Sequence, residues 1–313
     1  MNLLAYIDGS GRSQRTLQFA AVLKQRLGGK LAVITVRPGT SGVEPPPPLG
    51  VEVLLETADG LPPGLQVLTD AAVQLSKSGV IDRNQPLTFR EMPGGNLFVC
   101  KTPTGERIPF YERFGGFIDS LNQEVDAHGY DLLLIAPPQR KRVHRLLFGS
   151  TPRKLALDLH TSVLFVRQGG PDSRLVVCSD GSTASRRQFP FLKSLLPSIH
   201  QEMELVWIKA PDTDLEKQTK ARHCLDQASR WLKACGKRVS VTILEGDSAK
   251  DLILRHTGED VVLMLGASLR HDVYRRTLGS LPIKVIGETE ASVLLVKAQP
   301  EIDGDLFREP FSC

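Results

Sequence analysis

The chain has 313 residues, 41% of them hydrophobic and 24% charged, with a formal net charge of +4. That length accommodates two domains of roughly 150 residues each, and no apolar run approaches the roughly 18 residues of a membrane span, so no transmembrane helix is expected. The small net charge gives no ground for a nucleic-acid partner. The five cysteines (Cys100, Cys178, Cys224, Cys235, Cys313) lack the CxxC or His pairing of a metal site and are expected as reduced thiols.

Met1 to Asp8 has no basic lead-in and reaches a carboxylate too soon for an export segment, so a cytoplasmic location is the default expectation. Leu3 to Ile7 is the first of several short aliphatic runs without alternation, the mark of strands buried on both faces in a parallel sheet. Ser13 can cap a helix that places Leu17, Ala20, Leu23 and Leu27 on one stripe, and Gly28-Gly29 ends it. Leu31 to Val36 follows as a strand, then the stiff spacer Glu44 to Pro48. A helix is expected between Pro63 and Ser78. Leu97 to Lys101 and Arg107 to Phe110, separated by a Pro-Thr-Gly turn, predict an inserted β-hairpin. Leu132 to Ile135 and Ser162 to Val166 complete the first half. In the second half, strands are expected at Leu175 to Ser179, Glu204 to Ile208, Val239 to Leu244 and Val261 to Leu265, with a helix from Asp214 to Ala234. Pro190 predicts a kink or an interruption in the helix after the first of these strands.

The chain repeats itself. Leu3 to Ser10 returns as Leu175 to Ser182, each an apolar strand ending in Asp-Gly-Ser, at an offset of 172 residues. Leu147-Phe148-Gly149-Ser150 answers Thr277-Leu278-Gly279-Ser280, and Ser162 to Val166 answers Ser292 to Val296, both at an offset of 130. The first copy therefore holds extra residues, placed at about 42–115. The expected organisation is a first domain at 1–168, a turn-rich linker at 169–173, a second domain at 174–299 and a tail at 300–313. The predicted class is α/β: two tandem copies of an open, doubly wound parallel-sheet domain.

Ligands in such sheets sit beyond the carboxyl ends of the strands, where strand order reverses. Asp8 and Asp180 fall at such ends, where a carboxylate can accept from a ribose or base or can equally cap the following helix. In the second copy, the strand ending in Gly266 and Ala267 leads through Arg270 to Gly279 and Ser280 at a helix start. Such an arrangement can bind phosphate through free amides, a hydroxyl and a basic side chain. Gly149 and Ser150 are the counterparts in the first copy. The basic residues of both loops can also form an ordinary solvated face.

Strand, Asp-Gly-Ser, helix, then strand, loop, Leu-x-Gly-Ser, helix and a Ser-Val-Leu-x-Val strand: in this order both halves resemble the universal stress protein family. The resemblance covers nearly all of the chain except the insertion and the tail. It implies an adenine nucleotide alpha hydrolase-like fold and a stress-response protein that binds ATP or AMP, mainly in the second copy. Val36 and Ile208 would flank the adenine, and Asp8 and Asp180 would lie near base or ribose. Nucleotide-binding members carry three spaced glycines; here Gly266, Gly279 and Ser280 match while Leu269 replaces the middle glycine. In the first copy only Gly149 and Ser150 match. The resemblance also implies that the last strands of the two copies pair with each other, with a homodimer as a further assembly and partner proteins left unnamed. The alternative is a nucleotide-free interaction scaffold. No Ser-His-Asp spacing or metal signature occurs, so catalysis beyond slow ATP hydrolysis is not expected.

Overall fold

The computed structural model describes residues 1–39, 53–54, 61–83, 85–137, 151–267 and 280–297. They fall into two compact units. The first comprises Met1–Ala136 with Leu159–Thr161, and the second comprises Pro137–Asp158 with Ser162–Cys313.

The first unit runs β1 (Leu3–Tyr6), α1 (Gly11–Leu27), β2 (Leu31–Arg37), β3 (Val53–Leu54), α2 (Pro63–Lys77) and β4 (Pro86–Leu87). It continues through β5 (Arg90–Met92), β6 (Gly95–Lys101), β7 (Arg107–Phe114), α3 (Phe117–His128) and β8 (Leu132–Ile135). Its main sheet has the order β8-β1-β2-β7-β6-β5. The neighbours β8, β1, β2 and β7 are parallel, whereas β6 pairs antiparallel with β7 and with β5. Leu3, Leu4 and Ala5 of β1 are fully buried, as strands covered on both faces must be. Helix α1 ends where Gly28 turns left-handed at φ 67°, a conformation glycine adopts without penalty. Its N-cap is Ser10 and not Ser13. The Ser13 hydroxyl, one turn inside the helix, is instead committed to the Asp8 carboxylate.

The predicted hairpin is present as β6 and β7, with Leu97 opposite Tyr111 and Cys100 opposite Ile108. Its second strand is longer than the apolar run suggested and pairs parallel with β2, from Val33↔Phe110 to Arg37↔Phe114. The added residues include a buried ionic cluster. Arg113 meets Glu124 of α3 and donates to the Pro93 carbonyl at 2.7 Å, while Asn96 donates to Glu112 at 2.8 Å. Glu112 and Glu124 are both fully buried.

The second unit contains α4 (Thr151–Asp158), β9 (Ser162–Phe165), β10 (Arg174–Cys178), α5 (Thr183–Arg186) and α6 (Gln188–Leu195). It then runs β11 (Met203–Lys209), α7 (Leu215–Ala234), β12 (Val239–Glu245), α8 (Ala249–Thr257), β13 (Val261–Ala267), α9 (Ser280–Glu288) and β14 (Ser292–Lys297). The strand order is β12-β11-β10-β13-β14-β9. All neighbours are parallel except β14 and β9, which run antiparallel with Val293↔Phe165 and Leu295↔Val163. The interruption expected near Pro190 occurs at Arg187, so Pro190 sits in the first turn of α6, where a missing amide leaves no helical bond unmade. Cys100, Cys178 and Cys224 are free thiols, whereas Cys235 is disulfide-bonded, contrary to the expectation of reduced thiols throughout.

The two units share one arrangement of four parallel strands, β8-β1-β2-β7 in the first and β13-β10-β11-β12 in the second. β12 lies parallel beside β11 as β7 lies beside β2, and α7 lies between β11 and β12 in the chain as α2 lies between β2 and β7. Of the segment 42–115, α2 and β7 thus have counterparts in the second unit, and β3 to β6 have none. Chain order reverses at the central strand of each unit: β2 flanks β1 on one side and β8 on the other, and β11 and β13 flank β10 likewise. That reversal opens a crevice at the carboxyl ends of β1 and β10.

Candidate functional site

At the end of β10 the chain enters Asp180-Gly181-Ser182, and the Ser182 amide donates to Asp180 Oδ1 at 2.9 Å. Burial alone would raise the Asp180 pKa. The Ser182 and Ser185 hydroxyls and the Ser182 amide outweigh it, so the carboxyl titrates below its ordinary range and stays ionised. Asp8 is held the same way: the Ser10 amide donates at 3.0 Å, and the Ser10 and Ser13 hydroxyls add to it. Its pKa is again lowered, with burial opposing and the serine hydroxyls prevailing. Both aspartates therefore do the local work of holding a turn at a helix start.

The glycine of each motif is required twice over. Gly9 and Gly181 have φ of 75° and 73°. A Cβ on Gly181 would stand 2.8 Å from Ala221 Cα and 2.9 Å from the Lys220 carbonyl oxygen, both on α7; on Gly9 it would stand 2.8 Å from Val67 of α2. The missing side chain lets the helix close over the turn.

Helix α7 begins at Asp214, whose side chain accepts from the Lys217 amide at 2.8 Å. Its inner stripe of Ala221, Cys224, Leu225, Ala228 and Leu232 is buried. The turn, the end of β11 and the first turns of α7 together enclose a cavity of about 310 Å³. Asp180, Gly181 and Ser182 form one wall, Trp207, Ile208 and Ala210 the end of β11, and Thr213, Lys217 and Lys220 the helix side. Lys217 lies 2.8 Å from Asp214 and Lys220 lies 2.5 Å from Glu216. The hydrogen bond to Asp214 raises the Lys217 pKa, so this ammonium is charged at neutral pH. An apolar floor, one fixed carboxylate and two surface lysines that would leave or share their Asp214 and Glu216 partners suit a ligand with a flat apolar part, hydroxyls and negative charge.

The cavity brings together two of the residues singled out from sequence, Asp180 and Ile208. Gly266 and Ala267 are the last two residues of β13, paired with Val296 and Lys297 of β14, and they do not line this cavity. Asp8 lies just beyond β1, and Val36 lies in β2, half-buried. Ser280 opens α9. Gly149, Ser150, Arg270 and Gly279 lie outside the described residues. Trp207, Thr213, Lys217 and Lys220 were not singled out. The available signal was the spacing of Lys217 and Lys220, three apart and hence on one face of the first turns of an expected helix. Among the described residues, no His or Cys lines the cavity and no group of three His, Cys, Asp or Glu side chains could hold a metal. No described helix is long and apolar enough to cross a membrane.

No protein-family model and no curated protein matches the sequence. Solved structures do. A universal stress protein from Archaeoglobus fulgidus superposes with a TM-score of 0.61 at 16% identity, covering 95% of this chain and 98% of that one. A functionally unknown protein from Pseudomonas aeruginosa PAO1 gives 0.61 at 13% identity, covering 95% and 92%. A putative universal stress protein from Pseudomonas aeruginosa UCBPP-PA14 gives 0.60 at 13% identity, covering 95% and 93%. Over nearly its whole length, then, the chain has the fold of structures described as universal stress proteins.

Proposed function

We propose that this protein is a stress-response regulator of the universal stress type that binds an adenine nucleotide, ATP or AMP, in the crevice of its second unit. The observation that carries the reading is the cavity at the carboxyl ends of β10 and β11, lined by Ile208, which by the resemblance would flank adenine, and Asp180, which would lie near base or ribose. Ile208 supplies apolar surface for a base beside the buried Trp207, Asp180 would accept from a ribose, and Lys217 and Lys220 supply positive charge for phosphate. Gly279 and Ser280 complete the phosphate side in this reading. The protein acts in the cytoplasm as a sensor, with residues 1–168 and 174–299 as tandem domains and the last strand of each joining the two copies. Catalysis beyond slow ATP hydrolysis is not part of the proposal.

A native-state ligand must raise the melting temperature; at one hundred times its Kd it adds about 2.7 kcal/mol. ATP or AMP is expected to shift the melt of the purified protein and to alter the fluorescence of Trp207, and Asp180→Ala is expected to diminish both. If neither nucleotide shifts the melt, and none is released from the purified protein by heat, the nucleotide-free scaffold replaces this reading.

A further inference from the structure

Strand β12 is the terminal strand of the second unit's sheet, paired with β11 along all seven residues from Met203↔Val239 to Lys209↔Glu245. None of its residues is buried, and Val241 and Ile243 are 42% and 36% exposed. Among the described residues the exposed large hydrophobics are these two and Leu215. The counterpart in the first unit is treated differently: β7 is covered by the antiparallel strand β6, and its Ile108, Phe110 and Tyr111 are buried. A terminal strand with an exposed apolar face is a template for another strand, because its outer amides and carbonyls pair with no strand among the described residues.

We propose that β12 is the docking edge for a second copy of this chain, the two β12 strands pairing antiparallel about a two-fold axis at Thr242. The strand is self-complementary in that direction. Centred on Thr242, Val241 of one copy faces Ile243 of the other, and symmetry provides the pair twice. The charges agree: Lys237 and Arg238 precede the strand's apolar stretch, and Glu245 and Asp247 follow it. Antiparallel alignment sets the basic start of one copy against the acidic end of the other, whereas parallel alignment would place like on like. The Arg238 and Glu245 side chains are 73% and 63% exposed and are paired within the chain with Glu202 at 3.4 Å and Lys209 at 3.0 Å, so joining the seam exchanges or shares these surface pairs. A seven-residue seam buries less than the roughly 800 Å² per partner of a standard interface, so the dimer is reversible.

Sedimentation velocity on the full chain over a range of concentrations tests this, together with hydrogen exchange at low and high concentration. The expected result is a sedimentation coefficient that rises from monomer to dimer, with slowed exchange confined to residues 239–245 at high concentration. Ile243→Lys is expected to give monomer at concentrations where the parent is dimeric, with unchanged circular dichroism. Arg238→Glu and Glu245→Arg each weaken association, and the double variant restores it; these exposed positions keep the test open should Ile243→Lys fold poorly. A monomer at every concentration, a dimer indifferent to these substitutions, or protection of residues 239–245 independent of concentration would overturn the proposal.

Discussion

Replacing Gly181 with alanine isolates the contact on which the cavity is built. The φ of 73° costs an L-residue about 1–2 kcal/mol. The new Cβ would also stand 2.8, 2.9 and 3.0 Å from Ala221 Cα, the Lys220 carbonyl oxygen and Ala221 N, all backbone atoms that cannot swing aside as a flexible side chain can. Forcing α7 outward adds about 1–3 kcal/mol of overpacking, so the total loss is about 2–5 kcal/mol. Gly236 supplies the control: its φ is 72° and its added Cβ meets nothing within 4 Å. Gly236→Ala should therefore lose only the backbone share, about 1–2 kcal/mol. Urea unfolding followed by circular dichroism compares the two midpoints. Because Lys217 and Lys220 ride on the displaced helix, Gly181→Ala should also weaken nucleotide binding, and Gly236→Ala should not. Equal losses from the two variants would refute the argument that helix α7 is seated on Gly181.

Acid should remove the contribution of Asp8. Its folded pKa is lowered from 3.8, so its stabilisation is complete above that value and disappears as pH falls through the folded pKa. The stability gap between the parent and Asp8→Asn should shrink on acidification in chemical denaturation. Glu124→Leu leaves the buried Arg113 without its carboxylate and should cost about 3–5 kcal/mol by thermal unfolding. Ser248 caps α8 by accepting from the Asp251 amide at 3.3 Å, and Ser248→Ala should cost about 0.5–2 kcal/mol in the same assay. Lys217→Ala with Lys220→Ala should weaken ATP binding by roughly tenfold or more, as the loss of charged hydrogen bonds implies, while adenosine binding, read by Trp207 fluorescence, changes little.

The buried strands were legible because burial on both faces leaves an unbroken apolar run: Leu132–Ile135 was placed to the residue and Ser162–Phe165 within one. The helix expected from Asp214 to Ala234 is found at Leu215–Ala234, with Asp214 as its cap. Strand β7 was legible only in its first half. Glu112 and Arg113 break the apolar run, and nothing local announces that Asn96 and Glu124, from other elements, satisfy them in the interior. The turn at Asp180 was visible as a motif and Ile208 as a strand end. Lys217 and Lys220 were not legible as site residues, because a lysine in a helix's first turns reads as solvated surface. Only the approach of α7 over Gly181 carries them to the crevice.

The seam between β14 and β9 also governs how the protein can be dissected. A fragment begun at the glycine-rich joint of residues 169–173 would carry β14 without the strand that lies along Val293 to Leu295, and α9 without α4, which packs against it. Its raw apolar margin would recruit foreign strands and precipitate. A workable C-terminal piece has to start upstream of Thr151, taking α4 and β9 with it.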